Sequence, residues 1–134
     1  MEKQTLFYVA IGLLLFFFVL RPMLFGGPRM TPEEAAVQVK SGDAVLIDVR
    51  EPDEWAESGV AEPAVLLSLS DLRGDRKAWK PFLEKNRDKT LLLYCRSGNR
   101  SGQAVAVLAK EGFKTVNAGS FSGWKSAGLP TRKP

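Results

Sequence analysis

Histidine is absent from this chain of 134 residues, and cysteine occurs once, at Cys95. The first absence removes the usual general base near neutral pH and the commonest metal ligand. No Ser-His-Asp or Cys-His mechanism can be assembled within the chain. The single cysteine excludes an internal disulfide framework and any zinc site built from several thiolates. A strong excess of either charge is missing too. The net charge is +4, and with residues 1–29 set aside (Lys3, Arg21 and Arg29 against Glu2) 16 basic and 14 acidic side chains remain. That near balance, with the basic residues dispersed, argues against a nucleic-acid interface. Internal repeats are lacking as well. Any nucleophile here must draw its activation from fields, backbone amides or arginines.

What the chain does have is one long apolar run. Leu6 to Leu20 is 15 residues without a charge, roughly 22 Å as a helix at ~1.5 Å per residue. A bilayer core is about 30 Å thick, so this stretch alone is short. Extension to Phe25 supplies the length, with Arg21 snorkelling toward headgroups and Pro22 bending the end. The sequence therefore predicts a single-pass membrane anchor over residues 5–25, a linker over 26–30 and one folded domain over 31–134. The rival is a cleaved signal peptide. Its basic n-region would be weak, because Glu2 offsets Lys3, and cleavage would fall near Gly26-Gly27 just before Pro28. A buried core helix fits poorly, since the run is apolar on all sides. Arg21 and Arg29 follow the span while Lys3 stands alone before it, which places the domain in the cytoplasm. A free thiol stays reduced there.

The remainder is patterned as an α/β domain. "MTPEEAAVQVKSGD" predicts a helix with Thr31 as N-cap, Pro32 at its first position, Glu34 closing a capping box and Gly42 ending it. "AVLIDVR" (44–50), "AVLLSL" (64–69) and "TLLLYC" (90–95) are nearly continuous apolar runs, the pattern of strands covered on both faces; "TVNAGS" (115–120) follows it more weakly. Between them lie helical stretches, "DRKAWKPFLEKN", interrupted by Pro81, and "GQAVAVLAKEG", where Ala104, Val105, Leu108 and Ala109 share a face and Gly112 caps the end. Strands alternating with helices predict a parallel β-sheet flanked by helices on both faces. Ligands in such sheets gather at the carboxyl ends of strands. Asp48 and Arg50 end one strand and Cys95 another, so all three are expected on one edge.

Chemistry concentrates at "CRSGNRS". After Cys95 the chain must turn from strand to helix within a few residues. Gly98 permits a positive φ, and either Asn99 or Ser101 can cap a helix beginning near Gly102. Successive backbone N–H groups would then form an anion-binding nest around the sulfur, with Arg96 and Arg100 adding positive potential. Each of these favours thiolate over thiol. A lone cysteine in an apolar strand is ordinarily a small core residue, but this one stands at a strand end, followed by six residues without a large apolar side chain. Cys95 to Arg100 is C-x4-R. Cysteine phosphatases use a longer C-x5-R cradle that holds three phosphate oxygens. The tighter ring suits the terminal sulfur of a sulfane donor, or a persulfide on the cysteine itself.

"IDVREPDEW" (47–55), "YCRSGNRSGQAVAVLAKEGF" (94–113) and "GSFSGWKSAGLP" (119–130) together resemble the single-domain rhodanese family of sulfurtransferases, over about Thr31 to Pro130. The resemblance implies a rhodanese fold in which Cys95 accepts sulfane sulfur as a persulfide and passes it to a thiophilic acceptor. It implies that Arg96, Ser97, Gly98, Asn99 and Arg100 form the substrate loop, with Asp48, Arg50 and Ser101 supporting it. Gly123 and Trp124 match the family's C-terminal "GW" and are expected in the core. No cofactor or metal is implied; the partners would be a thiosulfate-like donor and a thiol or protein acceptor. One segment departs. Where many relatives carry "GHIPGAINIPL", this chain has "GVAEPAVLLSL" (59–69), with Val60 in place of the histidine and Pro63 in place of the second glycine.

Other functions remain open on the same residues. Cys95 could relay persulfide from a desulfurase-type partner, act in a cysteine-dependent phosphatase or arsenate reductase on the same fold, or serve as a redox sensor or docking module. Glu51, Asp53 and Glu54 are expected to form a solvated first helical turn rather than a metal site. Trp55, Trp79 and Trp124 are expected as core or lid aromatics.

Overall fold

Apolar residues alternate sides along the central strands, and that alternation builds two cores from one sheet. The computed structural model describes residues 2–20 and 27–134. In chain order it contains α1 (Lys3–Leu15), α2 (Pro32–Ser41), β1 (Ala44–Asp48), α3 (Pro52–Ser58), β2 (Val60–Ala61), β3 (Val65–Leu66), α4 (Leu69–Arg73), α5 (Trp79–Lys85), β4 (Thr90–Cys95), α6 (Asn99–Lys110), β5 (Thr115–Ser120), α7 (Phe121–Ser126) and β6 (Thr131–Arg132). The main sheet is parallel, ordered β3-β1-β4-β5. On one face Ile47, Leu91, Leu93 and Cys95 pack with Leu72 of α4, Trp79 and Leu83 of α5, and Ala104, Val105 and Leu108 of α6. On the other, Leu46, Leu92 and Tyr94 pack with Ala35 of α2 and with Phe121 and Trp124 of α7. Leu46, Leu91, Leu92 and Leu93 are wholly buried, each contributing about 1.5–3 kcal/mol of burial free energy. The expected parallel sheet with helices on both faces is what forms, and Trp79 and Trp124 are core residues.

Local chemistry sets the helix ends. Thr31 accepts from the Glu34 N–H at 3.2 Å, and Gly42 closes α2 in the left-handed region at φ 86°. Four expectations need correction. The "AVLLSL" run yields only the two-residue strand β3, because the Ser68 side chain caps α4 by accepting from the Asp71 N–H. Pro81 does not interrupt α5. It lies in that helix's first turn, where a missing N–H deprives no carbonyl of a partner. Helix α6 starts at Asn99, not near Gly102; Gly98 is its N-cap, and neither Asn99 nor Ser101 caps it. Finally, "GVAEP" enters a small antiparallel ribbon unseen in the sequence, β2 with β6, which leaves Val60 fully buried opposite Arg132.

Of the expected anchor, residues 5–20 are described. Helix α1 covers 13 residues, about 20 Å of rise, and the chain then changes to π-helical hydrogen bonding over Phe16–Leu20. No helix among the described residues is long and apolar enough to cross a membrane. Residues 21–25 of the expected span, and Gly26 of the expected linker, lie outside the described residues. The rest of that linker is built into the domain: Arg29 bridges in parallel to Asn117 on β5, and Met30 packs against the second core.

Candidate active site

Strand β4 delivers Cys95 to the sheet edge, paired with Ser120 at the end of β5. The chain then reverses through Arg96, Ser97 and Gly98 into α6. Gly98 adopts φ +93°, a conformation costly for any residue with a Cβ. This turn aims its N–H at Cys95 Sγ, 3.0 Å away. The Ser101 hydroxyl, one helical turn into α6, lies 3.5 Å from the same sulfur. Cys95 is only 1% exposed. Burial pushes its thiol up, but the Ser101 hydroxyl and the backbone amides of Ser101, Ser97 and Gly98 outweigh burial and hold it below the ordinary thiol value. The shift is toward the thiolate, and no histidine takes part in it.

The loop's arginines divide their work. Arg96 and Ser97 line an open cleft of about 710 Å³ with Arg50, Glu54, Ser120 and Lys125 among the other walls. Arg100 instead points to α3, where its guanidinium grips both carboxylate oxygens of Glu54, the longer contact 2.8 Å. Glu54 is therefore not part of a solvated turn, as its acidic neighbours suggested. Asn99 also turns from the sulfur and accepts from Gln103 at 3.0 Å. The hydrogen bonds from Arg100, opposed by partial burial, hold the Glu54 carboxyl down from 4.5 to about 2. A depressed carboxyl stabilises the fold fully above about pH 4.5 and loses that contribution as pH falls toward 2. Glu54→Gln should accordingly flatten the acid limb of a melting-temperature profile over this window. An unchanged limb would show that the pair contributes nothing.

A family profile described as rhodanese-like domain matches residues 31–127. The chain belongs to the rhodanese-like family. Among its relatives are an uncharacterized protein of Synechocystis, slr1261, 39% identical over 99 residues, and the thiosulfate sulfurtransferase GlpE of Coxiella burnetii, 34% identical over 96. The alignments cover 72% of this chain and 51% of the first, and 69% of this chain and 82% of the second. The chain thus spans about half the length of the Synechocystis relative. A rhodanese-related protein of Thermoplasma volcanium superposes with a TM-score of 0.66 at 27% identity, covering 80% of this chain and 99% of that one.

Within this rhodanese-like domain, Asp48 and Arg50 form a buried brace beside the loop. Arg50 donates from Nε to Asp48 Oδ1 at 3.1 Å and from Nη2 to Oδ2 at 2.8 Å, a bidentate pair at 3% and 0% side-chain exposure. It also donates to the Ser58 hydroxyl and the Gly59 carbonyl, each at 2.7 Å, and lies over the Phe121 ring at 4.4 Å. This ties the end of β1 to the end of α3 and to α7. No group of three or more His, Cys, Asp or Glu side chains able to hold a metal exists among the described residues. Sequence reasoning missed Glu54, Lys125 and Asn117 at this site. Only Asn117 left a signal, as a polar residue that strands disfavour in an otherwise small and apolar run.

Proposed function

We propose that this chain is a sulfurtransferase that takes sulfane sulfur from an anionic donor such as thiosulfate. The Cys95 thiolate attacks the outer sulfur, the S–S bond of the donor breaks, sulfite leaves with the electron pair, and a Cys95 persulfide remains. A thiophilic acceptor then attacks the outer persulfide sulfur and releases the thiolate. The observation that carries this reading is the placement of Cys95 Sγ inside a ring of donors, with the Gly98 N–H at 3.0 Å and beside it an open cleft that Arg96 and Lys125 line. Engagement of Arg100 by Glu54 weighs against phosphate cleavage, where a loop guanidinium must be available to grip the anion. Incubation of the chain with thiosulfate should add the mass of one sulfur atom, and cyanide should remove it as thiocyanate. A folded sample that gains no sulfur overturns the thiosulfate reading.

Arg96 is the cation proposed to meet the donor's sulfonate end. It is exposed, lines the cleft and makes no ion pair among the described residues. Arg96→Ala is expected to raise KM for thiosulfate roughly tenfold with little change in kcat, the scale of one hydrogen bond to a charged group. Steady-state thiocyanate assays check this. An unchanged KM would remove Arg96 from donor binding.

The same proposal includes a membrane tether over residues 5–25 with the domain on the cytoplasmic side. Leu6, Phe7, Leu13, Leu14 and Phe17 are all exposed along the N-terminal helix, a surface that water does not favour, and Arg21 and Arg29 follow it. Retention of the full chain in the membrane fraction after alkaline carbonate washing tests the tether.

A further inference from the structure

Asn117 occupies β5 opposite Leu93, where β5 holds one residue more than β4. Leu93 pairs with Asn117 and Tyr94 with Gly119, leaving Ala118 as the bulged residue. Bulges of this kind re-aim a strand next to a site. The Asn117 backbone is held on the outer edge as well: its N–H donates to the Pro28 carbonyl at 2.9 Å and its carbonyl accepts from the Met30 N–H at 3.0 Å. The side chain, with the residue 3% exposed, is bonded through both of its polar atoms. Nδ2 donates to the Gly98 carbonyl at 2.9 Å, while Oδ1 accepts from the Ser101 hydroxyl at 2.8 Å and the Gly119 N–H at 3.0 Å. Gly98 and Ser101 are the residues whose N–H and O–H face Cys95 Sγ. A buried amide is costly unless every polar atom is paired. Here both polar atoms are bonded, and two of the three bonds end on the loop.

We propose that Asn117 is a positioning residue of the catalytic loop, its amide clamping Gly98 and Ser101 so that the Gly98 N–H stays aimed at Cys95 Sγ and the Ser101 oxygen stays beside it. The Gly98 carbonyl, which also accepts from the Gly102 N–H at 3.1 Å, is held by Asn117 against α6, and this fixes the Gly98 Cα from which the preceding peptide directs the Gly98 N–H at the sulfur. The Ser101 hydroxyl has one hydrogen and two acceptors, Asn117 Oδ1 and Sγ. At 2.8 Å the hydrogen goes to Oδ1, and this bond keeps the hydroxyl oxygen 3.5 Å from the sulfur. The outer edge of Asn117 is in turn fastened by residues 28–30, so the segment preceding the domain is part of the scaffold that sets the loop.

This inference rests on Cys95 as the nucleophile, and its test reads the thiolate directly. Because the chain has one cysteine, ultraviolet thiolate absorbance against pH and the iodoacetamide alkylation rate report on Cys95 alone. Asn117→Ser is the informative variant in the full chain. A serine hydroxyl can still accept from the N–H two residues on, preserving the turn at Gly119, but it is too short to hold Gly98. The expected result is a thiolate inflection moved to higher pH and alkylation at neutral pH slowed roughly tenfold, the scale of one hydrogen bond to a charged group. Thr115→Val is the control, since it removes another buried bond from β5, to the Val105 carbonyl at 3.1 Å. It should lower the melting temperature and leave the inflection in place. An inflection unmoved by Asn117→Ser, or moved equally by Thr115→Val, overturns the proposal. Should thiosulfate fail to load the wild type, the titration still decides the role of Asn117, because it needs no sulfur donor.

Discussion

Cys95→Ser is expected to abolish sulfur uptake from thiosulfate while leaving the fold intact. The replacement is slightly smaller, keeps a group that can accept from the Gly98 N–H, and sits where Sγ already meets polar donors at 3.0 and 3.5 Å. Its melting temperature should therefore stay near that of the wild type. Turnover should not. A hydroxyl becomes a nucleophile only with a base to take its proton, and the chain contains no histidine to do so. The amides that hold the Cys95 thiol below its ordinary range act on an anion, which a serine does not supply at neutral pH. Removing an activated nucleophile commonly costs 10⁴-fold or more, so the assay should fall by roughly that factor, to background. Residual sulfur uptake within about tenfold of the wild type would show that sulfur is carried elsewhere.

Arg50→Met should be the most destabilising single change near the site, by about 3–5 kcal/mol, because it strands a buried carboxylate. Asp48 is wholly buried and depends on the Arg50 side chain for three bonds to its oxygens, at 2.8, 3.1 and 3.2 Å. The same guanidinium satisfies the Gly59 carbonyl and stacks on Phe121, so three elements loosen together. Urea unfolding measures the loss, with a lowered midpoint and an unaltered slope. The double variant Asp48→Leu with Arg50→Met should recover much of it, since replacing both partners of a buried pair by apolar groups is often neutral. A loss under about 1 kcal/mol for the single variant would mean that water reaches Asp48.

The sequence alone determined the architecture and the place of the proposed nucleophile. Four apolar runs separated by helical patterns specify a parallel sheet, because only strands covered on both faces can bury such runs. A lone cysteine at the end of one run, followed by turn-forming and cationic residues, marks the loop where the proposed chemistry gathers. Both are local properties, readable from neighbours in the chain. Tertiary structure decided the rest. Glu54 looked like one more solvated acid until the fold brought it to Arg100, 46 positions away. Asn117 looked like a weak strand residue until the β5 bulge set its amide against Gly98, 19 positions away. Val60 became a buried ribbon residue because residue 132 returns to pair with it. Each depends on a contact between distant segments, and no local propensity encodes which side chain will stand opposite once the sheet closes. The sulfur's place is written in seven consecutive residues, Cys95 to Ser101; what aims donors at that sulfur is written across the whole domain.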